Sequence, residues 1–325
     1  MKIEDLPLEQ IALEDRTFDL GFARRYDELR ASVAAVGVLQ PLLVRHRRPA
    51  EGCQIVCGFG RAQVARDLKA DPLPTRLLPP ETTDADCLRL ALFDNLPHRR
   101  FNAMERGIIL AKLGQHVDRE LLLRDYLPLV GLQPSGALLD RTLALLQLVG
   151  PVQRAVAEGR IEEKPAASLA ALSSADQGAF VRLLERCRPS VSIVREWAEL
   201  LADVSRRDGR SFVEILAAPA ISAILDSAEM TETERASALR RRLHLLRYPT
   251  LAARETRFAA AKAALHLPPT MRLEPSPRFE SDELRLEVRF RNEEALREAL
   301  ALLQSRLDDP TLVRELWKTM TNDGL

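Results

Sequence analysis

At 325 residues the chain is longer than a single hydrophobic core usually becomes, which favours two or three domains. Its 47 basic and 47 acidic residues cancel, which excludes a global positive field, so any DNA binding must use local patches. Apolar residues make up 46% and aromatic residues 5%, and the abundance of Leu, Ala, Arg and Glu indicates a mostly helical protein rather than a β-sandwich or barrel.

The first residues and the cysteines exclude further classes. Residues 1–5 lack the basic and apolar segments of a signal peptide, and no uncharged run is long enough for a membrane span. We therefore expect a cytoplasmic protein without a membrane segment. Cys53 and Cys57 lie on a predicted strand, where four residues separate their Cα atoms by roughly 13 Å, so one disulfide or one zinc ion would not join them.

The first 80 residues predict a small α/β unit. Leu29, Val33 and Val36 recur at helical spacing, and Gly37 follows them as a C-terminal cap. Two short β-type runs, residues 41–44 and 54–57, flank a polar turn at residues 49–52, and residues 73–78 form another short run.

A glycine turn separates the second of these strands from the next helix. Gly58, Phe59 and Gly60 precede a helix that begins near Arg61. Free N–H groups at a helix N-terminus, with an arginine beside them, can hold a phosphate. The turn is neither a Walker loop nor a Rossmann fingerprint, and such a turn alone is more often purely structural.

A second polar segment follows the helix that ends at Asp94 and Asn95. A carboxylate and an amide at a helix end, followed by the basic residues 98–100, can hold a magnesium ion and the phosphates that it bridges. Asn102 and Glu105 have the spacing of a capping box and announce the next helix. Alone, this segment also fits an ordinary helix end, loop and cap.

The rest of the chain is predicted to be helical up to about residue 247. A helix through Leu122 and Tyr126, a turn near Gly131 and a second helix through Leu143 fit a helix-turn-helix frame. The groups available there to read base edges are Gln133, Ser135, Arg141 and Thr142.

The C-terminal part changes character. Residues 268–282 contain four prolines and predict a linker or a turn-rich edge. Residues 284–290 alternate apolar and charged side chains as a half-buried strand does. Helices are expected over residues 293–307 and 311–320. We interpret this part as a third domain that dimerises.

Four segments in this order resemble the motifs of the N-terminal domain of ParB partition proteins. They are residues 37–45 (Gly-Val-Leu-Gln-Pro-Leu-Leu-Val-Arg), 54–61 (Gln-Ile-Val-Cys-Gly-Phe-Gly-Arg), 91–96 (Ala-Leu-Phe-Asp-Asn-Leu) and 101–105 (Phe-Asn-Ala-Met-Glu). Residues 143–148 and 152–161 are similar to the end of the family's helix-turn-helix and the segment after it. The resemblance covers residues 1–185.

The resemblance implies a domain that binds CTP and Mg2+, joined to a DNA-reading helix-turn-helix, in a dimer that closes as a clamp around DNA. It places Asp94 toward the metal. The residues that it assigns to the nucleotide are Gln40, Gly58, Phe59, Gly60, Arg61, Asn95 and Arg99.

Two departures from the family pattern stand out. The family usually has Gly-Glu-Arg-Arg where this chain has Gly58-Phe59-Gly60-Arg61, so an acid and one arginine are absent. The arginine that usually follows the Glu-Asn pair is replaced by His98, with Arg99 next to it. We therefore expect a weak CTPase at most, and no catalytic residue is predicted.

The predicted fold class is α+β and mostly α. Residues 1–113 would form a ParB- and sulfiredoxin-like α/β domain, residues 114–247 an all-helical helix-turn-helix domain, and residues 248–325 a small α/β domain. The function expected from the resemblance is a CTP-dependent DNA clamp in plasmid or chromosome partition, or in transcription regulation. DNA, a second copy of the chain and a partition ATPase are the expected partners, and a nucleoid or plasmid is the expected location.

Two other classes of function remain open at this point. One is a dimeric adaptor that has lost nucleotide and DNA binding, which the neutral charge and the altered glycine turn favour. The other is a kinase-, nuclease- or sulfiredoxin-like enzyme on the same small fold, since Cys57 stands beside the glycine turn.

Overall fold

A computed structural model describes residues 3–46 and 52–320. The expectation of a mostly helical α+β protein with a small sheet domain is confirmed. The chain forms two compact units: Met1–Glu199 with Ser211–Ala217, and Leu200–Arg210 with Ala218–Leu325. None of the helices in the described ranges has both the length and the apolarity that crossing a bilayer requires.

The sheet of the first unit has five strands in the order β1-β5-β3-β4-β2. They are β1 (Ile3–Leu6), β2 (Ile11–Ala12), β3 (Leu42–His46), β4 (Cys53–Cys57) and β5 (Leu73–Leu77). β4 pairs antiparallel with β3, and every residue of β4 is buried. Sequence patterns predict β3, β4 and β5 but miss β1 and β2, which form the two edges. Of the predicted turn at residues 49–52, only Gly52 lies within the described residues.

Helices surround this sheet and continue beyond it. They are α1 (Asp27–Val36), α2 (Phe59–Leu68), α3 (Asp84–Asn95), α4 (Ala103–Leu113), α5 (Arg119–Leu121), α6 (Leu127–Leu129), α7 (Gly136–Ala144), α8 (Gly150–Ala157), α9 (Glu163–Leu169), α10 (Ser174–Cys187), α11 (Val191–Asp208) and α12 (Phe212–Leu216). A π-helical turn, Leu122–Tyr126, connects α5 to α6, and Leu145–Gln147 forms a 3-10 turn after α7. The capping box predicted from Asn102 and Glu105 is present at the start of α4.

One apolar core extends from the sheet into the helices that follow it. Leu110 and Leu113 of α4 belong to the same buried cluster as Leu122 and Leu139. The predicted domain boundary at residues 113 and 114 therefore falls inside a packed core. In the segment for which a helix-turn-helix is predicted, the chain forms α5 to α6, a turn at Gly131 with φ of +82°, and α7.

The second unit has its own small core and a two-stranded sheet. Its elements after α11 are α13 (Pro219–Asp226), α14 (Glu232–Arg247), α15 (Pro249–Ala264), β6 (Met271–Pro275), a 3-10 turn (Pro277–Phe279), β7 (Leu284–Val288), α16 (Glu293–Leu307) and α17 (Pro310–Met320). β6 corrects the linker or turn-rich edge predicted for residues 268–282. Met271 and Leu273 alternate with Arg272 and are buried, and the one proline of β6, Pro275, lies at its end.

Candidate functional site

A cavity of about 240 Å³ lies where the glycine turn after β4 meets the end of α3. It is lined by all eight residues that the family resemblance assigns to a nucleotide or its metal: Gln40, Gly58, Phe59, Gly60, Arg61, Asp94, Asn95 and Arg99. The two polar segments, more than 30 residues apart in the sequence, thus share one wall. The segment before α1 also contributes, through Asp19, Arg24 and Tyr26 among others.

The glycine turn exposes the start of α2 to the cavity. Gly58 adopts φ of +102°, a left-handed conformation that favours glycine, and precedes α2 as its N-cap residue. Among the residues that the structure describes, no side chain caps this end of α2. The first N–H groups of a helix have no partner within the helix, and here they adjoin a space that contains arginines.

The ring of Tyr26 lies against Gly60 and restricts position 60 to glycine. A Cβ atom built at Gly60 would lie 2.6 Å from Cε1 of Tyr26, closer than any side chain tolerates. Burial raises the pKa of Tyr26, so its phenol stays protonated at neutral pH. Tyr26 therefore occupies the space over position 60 that a larger side chain would need.

Arg61 links two parts of the cavity wall. Its Nη1 donates to the carbonyl oxygen of Gln40 at 2.8 Å and to that of Pro41 at 3.0 Å. The guanidinium is thus held beside the turn, and the backbone of the segment before β3 is tied to α2. Gln40 enters the site through this backbone contact as well as by lining the cavity.

A buried carboxylate gathers two more arginines at the cavity. Oε1 of Glu105, a residue only 2% exposed, accepts from Nε of Arg24 at 2.8 Å and from Nη1 of Arg99 at 2.7 Å. It also accepts from the backbone N–H of Phe22, while Oε2 accepts from the N–H of Asn102. Glu105 is therefore both the partner in the α4 capping box and the anchor of two guanidinium groups.

Sequence reasoning missed Arg24 and gave Glu105 only a capping role. Arg24 is 81 positions away from Glu105 and lies in a loop without periodicity. The signal that could have found it is the Arg24-Arg25 pair ahead of a predicted helix, in a chain that otherwise lacks one phosphate-binding arginine.

Asn95 holds Arg99 in place. Its Oδ1 accepts from Nε of Arg99 at 2.8 Å, and its Nδ2 donates to the carbonyl oxygen of Ala91. Arg99 also stacks on the ring of Phe101, with 4.6 Å from its Cζ to the ring centroid. Arg99 is thus oriented by Asn95, Phe101 and Glu105. The Asn95 amide contributes to the cavity by holding the Arg99 guanidinium in place.

Asp94 is an exposed carboxylate at the cavity. Within the described ranges no group of three or more His, Cys, Asp or Glu side chains is placed to hold a metal ion. Mg2+ is commonly held by one or two carboxylates together with substrate phosphates, so Asp94 fits a metal that arrives with a nucleotide. It does not form a metal site by itself.

Cys57 is a buried thiol on the cavity wall. Burial raises its pKa to about 12, and the charge of the neighbouring Asp94 acts in the same direction. The reactive form of a cysteine is the thiolate, so this side chain is a poor nucleophile at neutral pH. All four cysteines lie within the described residues, where they are free and buried.

The four residues predicted to face DNA divide into two groups. Gln133 is exposed before α7, Arg141 is half-buried on α7, and Ser135 caps α7 by accepting from the N–H of Leu138. Thr142 is a correction to the predicted set: it is 1% exposed, and its hydroxyl donates to the carbonyl oxygen of Leu138. It faces the core and has no surface from which to touch a base.

No protein-family model matches the chain. It is 29% identical over 189 residues to the nucleoid occlusion protein of Halalkalibacterium halodurans, and this match covers 57% of this chain and 62% of that protein. It is 28% identical over 182 residues to the nucleoid occlusion protein of Listeria monocytogenes, covering 54% and 59%. With the probable chromosome-partitioning protein ParB of Vibrio cholerae it shares 26% over 175 residues, covering 54% and 56%.

The matches span about three fifths of the length of these curated relatives. Two solved structures of C-terminally truncated chromosome-partitioning protein ParB from Caulobacter crescentus are also similar, each at 22% identity. The complex with CTP-gamma-S covers 57% of this chain and 99% of that chain with a TM-score of 0.28. The complex with the centromeric parS site covers 60% and 98% with a TM-score of 0.34.

Proposed function

Because this chain is a divergent member of the ParB family, we propose that it is a DNA-associated protein whose N-terminal cavity binds CTP with Mg2+. The observation that carries this proposal is the cavity itself. The glycine turn ahead of α2 and the end of α3 wall one space, which contains Arg24, Arg61 and Arg99. CTP is the nucleotide that the sequence motifs imply.

The physical case for a polyphosphate rests on charge and on free donors. The N-terminal N–H groups of α2 and the guanidinium groups around them favour an anion with several oxygens. Asp94, which lines the same cavity, would repel such an anion unless a cation lay between them. A divalent metal bridging Asp94 and the phosphates satisfies both groups, which is the role we propose for Mg2+.

We propose binding without efficient turnover. The family's acid in the glycine turn is replaced by Phe59, which is only 8% exposed and has no group that accepts a proton. Cys57, with its pKa raised to about 12, offers no nucleophile. The cavity therefore suits a ligand that acts as a structural effector.

For the rest of the chain we propose contact with DNA through the surface at Gln133, Ser135 and Arg141, in a homodimer associated with a nucleoid or plasmid. A partition ATPase is the further partner that the family resemblance implies. Since the net charge is zero, the contact with phosphate must be local.

One observation favours the adaptor alternative. The surface of α7 carries Asp140, an acid that pairs with Arg119 at 2.8 Å, and Thr142 faces inward. An ion pair at this position leaves few free cations for phosphate. Duplex binding at low salt separates the two proposals: a DNA-associated protein binds and an adaptor does not.

The nucleotide proposal is tested by isothermal titration of CTP, ATP and GTP, each with and without Mg2+. We expect saturable binding of CTP that Mg2+ strengthens, and we expect Asp94→Asn to remove the benefit of Mg2+. Asp67→Asn is the matched control, because Asp67 is a surface acid on α2 that does not line the cavity. Absence of binding of all three nucleotides at millimolar concentration would refute the proposal.

A further inference from the structure

Position 60 is where the family pattern has an arginine and this chain has none. Gly60 stands there, and the ring of Tyr26 fills the adjacent space, with Cε1 only 2.6 Å from where a Cβ would lie. No arginine can be restored at this position while Tyr26 keeps its place. A phosphate bound beside the turn would therefore need a second guanidinium from another part of the chain.

Arg24 lies two residues before Tyr26 in the same segment and lines the same cavity. Gly21 allows its side chain to approach the backbone closely, since a Cβ at Gly21 would lie 3.1 Å from Cδ of Arg24. The Nε of Arg24 is bonded to the buried Glu105 at 2.8 Å, which fixes the plane of the guanidinium. The group is thus held in one orientation before any ligand arrives.

The Nη2 group of Arg24 has no partner in the part of the chain that the structure describes. Nη2 is buried and, among the described residues, has no hydrogen-bond acceptor, although the side chain as a whole is 26% exposed. Buried donors in folded proteins are nearly always paired, so an orphan donor at a cavity indicates a missing acceptor. The nearby acid Asp19 is already engaged by Arg16 and by the N–H of Gly21.

We propose that Arg24 is a phosphate-binding residue that substitutes for the arginine absent at position 60, with Glu105 as its positioning residue. The inference rests on the proposed nucleotide function of the cavity and adds to it a residue from a different element. The loop before α1 then supplies both the ring that excludes a side chain at position 60 and the cation that replaces it. In this proposal a phosphate oxygen of the nucleotide accepts the hydrogen bond from Nη2 of Arg24.

The test compares the affinities of CMP, CDP and CTP, with Mg2+, for the full chain and three variants. Arg24→Gln should weaken CTP binding by about 10- to 100-fold, the loss expected for one charge-assisted hydrogen bond, and should change CMP binding much less. Arg24→Lys should lie between the two, since lysine keeps the charge but not the planar fork. Arg30→Gln is the matched control, because Arg30 is 52% exposed on α1 and does not line the cavity.

Equal CTP affinity of the wild-type chain and Arg24→Gln would overturn the inference and leave the nucleotide proposal intact. Inorganic triphosphate serves as a second probe. If the wild-type chain binds it in an Arg24-dependent way but binds no nucleotide, the anion site stands and the nucleotide proposal fails. If it binds neither, both fail. Thermal unfolding of each variant identifies any loss of binding that is due to misfolding, in which case Arg24→Lys decides the result.

Discussion

The contact between Gly60 and Tyr26 gives a stability prediction whose sign is not obvious. Gly60 is the second residue of α2, and an alanine in a helix is normally more stable than a glycine by about 0.5–1 kcal/mol. In this chain the added methyl group would meet three ring atoms of Tyr26 at 2.6, 3.1 and 3.2 Å. Carbon atoms in good contact are about 3.5–4.0 Å apart, so the nearest overlap is about 1 Å.

We expect the steric overlap with the Tyr26 ring to outweigh the gain in helix propensity, so that Gly60→Ala destabilises the chain. Overpacking a well-packed site by one methyl group costs about 1–3 kcal/mol, and Gly60 and the ring of Tyr26 are both half-buried. After the helix gain is subtracted, Gly60→Ala should lower the free energy of unfolding by up to about 2.5 kcal/mol. In a Tyr26→Ala background the overlap is gone, and Gly60→Ala should become neutral or stabilising by up to about 1 kcal/mol. Tyr26→Phe is the matched control, since it keeps the ring and should keep the penalty.

The assay is urea unfolding followed by tryptophan fluorescence. The chain has two tryptophans, Trp197 in the first unit and Trp317 in the second. Trp197 is fully buried whereas Trp317 is 51% exposed, so a Trp317→Phe background leaves a reporter for the first unit alone. If Gly60→Ala stabilises the wild-type chain, or changes stability equally with and without the Tyr26 ring, the steric argument is wrong.

Three further predictions follow from the site. Glu105→Gln should lower the free energy of unfolding by about 3 kcal/mol, because it leaves Arg24 and Arg99 without their buried anion. The control, Glu214→Gln in the exposed capping box of α12, should cost less than about 1 kcal/mol. Urea unfolding measures both changes. Burial raises the pKa of Cys57 from 9.0 to about 12, so between these pH values the folded chain keeps a proton that the unfolded chain releases. The free energy of unfolding should therefore fall as pH rises from 9 toward 12, and it should fall less in Cys57→Ala. The logarithm of the affinity for DNA should decrease linearly with the logarithm of the salt concentration, with a slope of about −0.9 per phosphate contacted, and a salt-independent affinity would contradict the phosphate contacts. Arg141→Ala should weaken DNA binding. Arg124→Ala should not, because Arg124 forms an exposed ion pair with Asp125.

Local patterns predicted those parts of the fold that depend on neighbouring residues. The capping box of Asn102 and Glu105 and the buried strand from Cys53 to Cys57 follow from spacing over three or four positions. The strands β1 and β2 were missed because they are only four and two residues long and are fixed by pairing with β5 and β4. β6 was missed because prolines around it suggested a linker, whereas burial of its apolar face decides its structure.

The candidate site shows the same division. The family motifs identified the residues from Gln40 to Arg99 that line the cavity, since each motif is continuous in the sequence. Arg24 was missed because its role arises from a bond to Glu105 across 81 positions. Thr142 was assigned to the surface because a hydroxyl suggests a base contact, but a threonine can return its hydroxyl to the preceding turn of its own helix and lie in the core.

Helix α4 connects the cavity to α7 through closely spaced atoms. Its first turn contains Glu105, which holds Arg24 and Arg99. Two residues later, Gly107 lies so close to α7 that a Cβ there would be 3.0 Å from the carbonyl oxygen of Thr142. The anchor of the two arginines and the point where α4 abuts α7 thus lie within one turn of the same helix, and at Gly107 a side chain would fit only if α7 shifted.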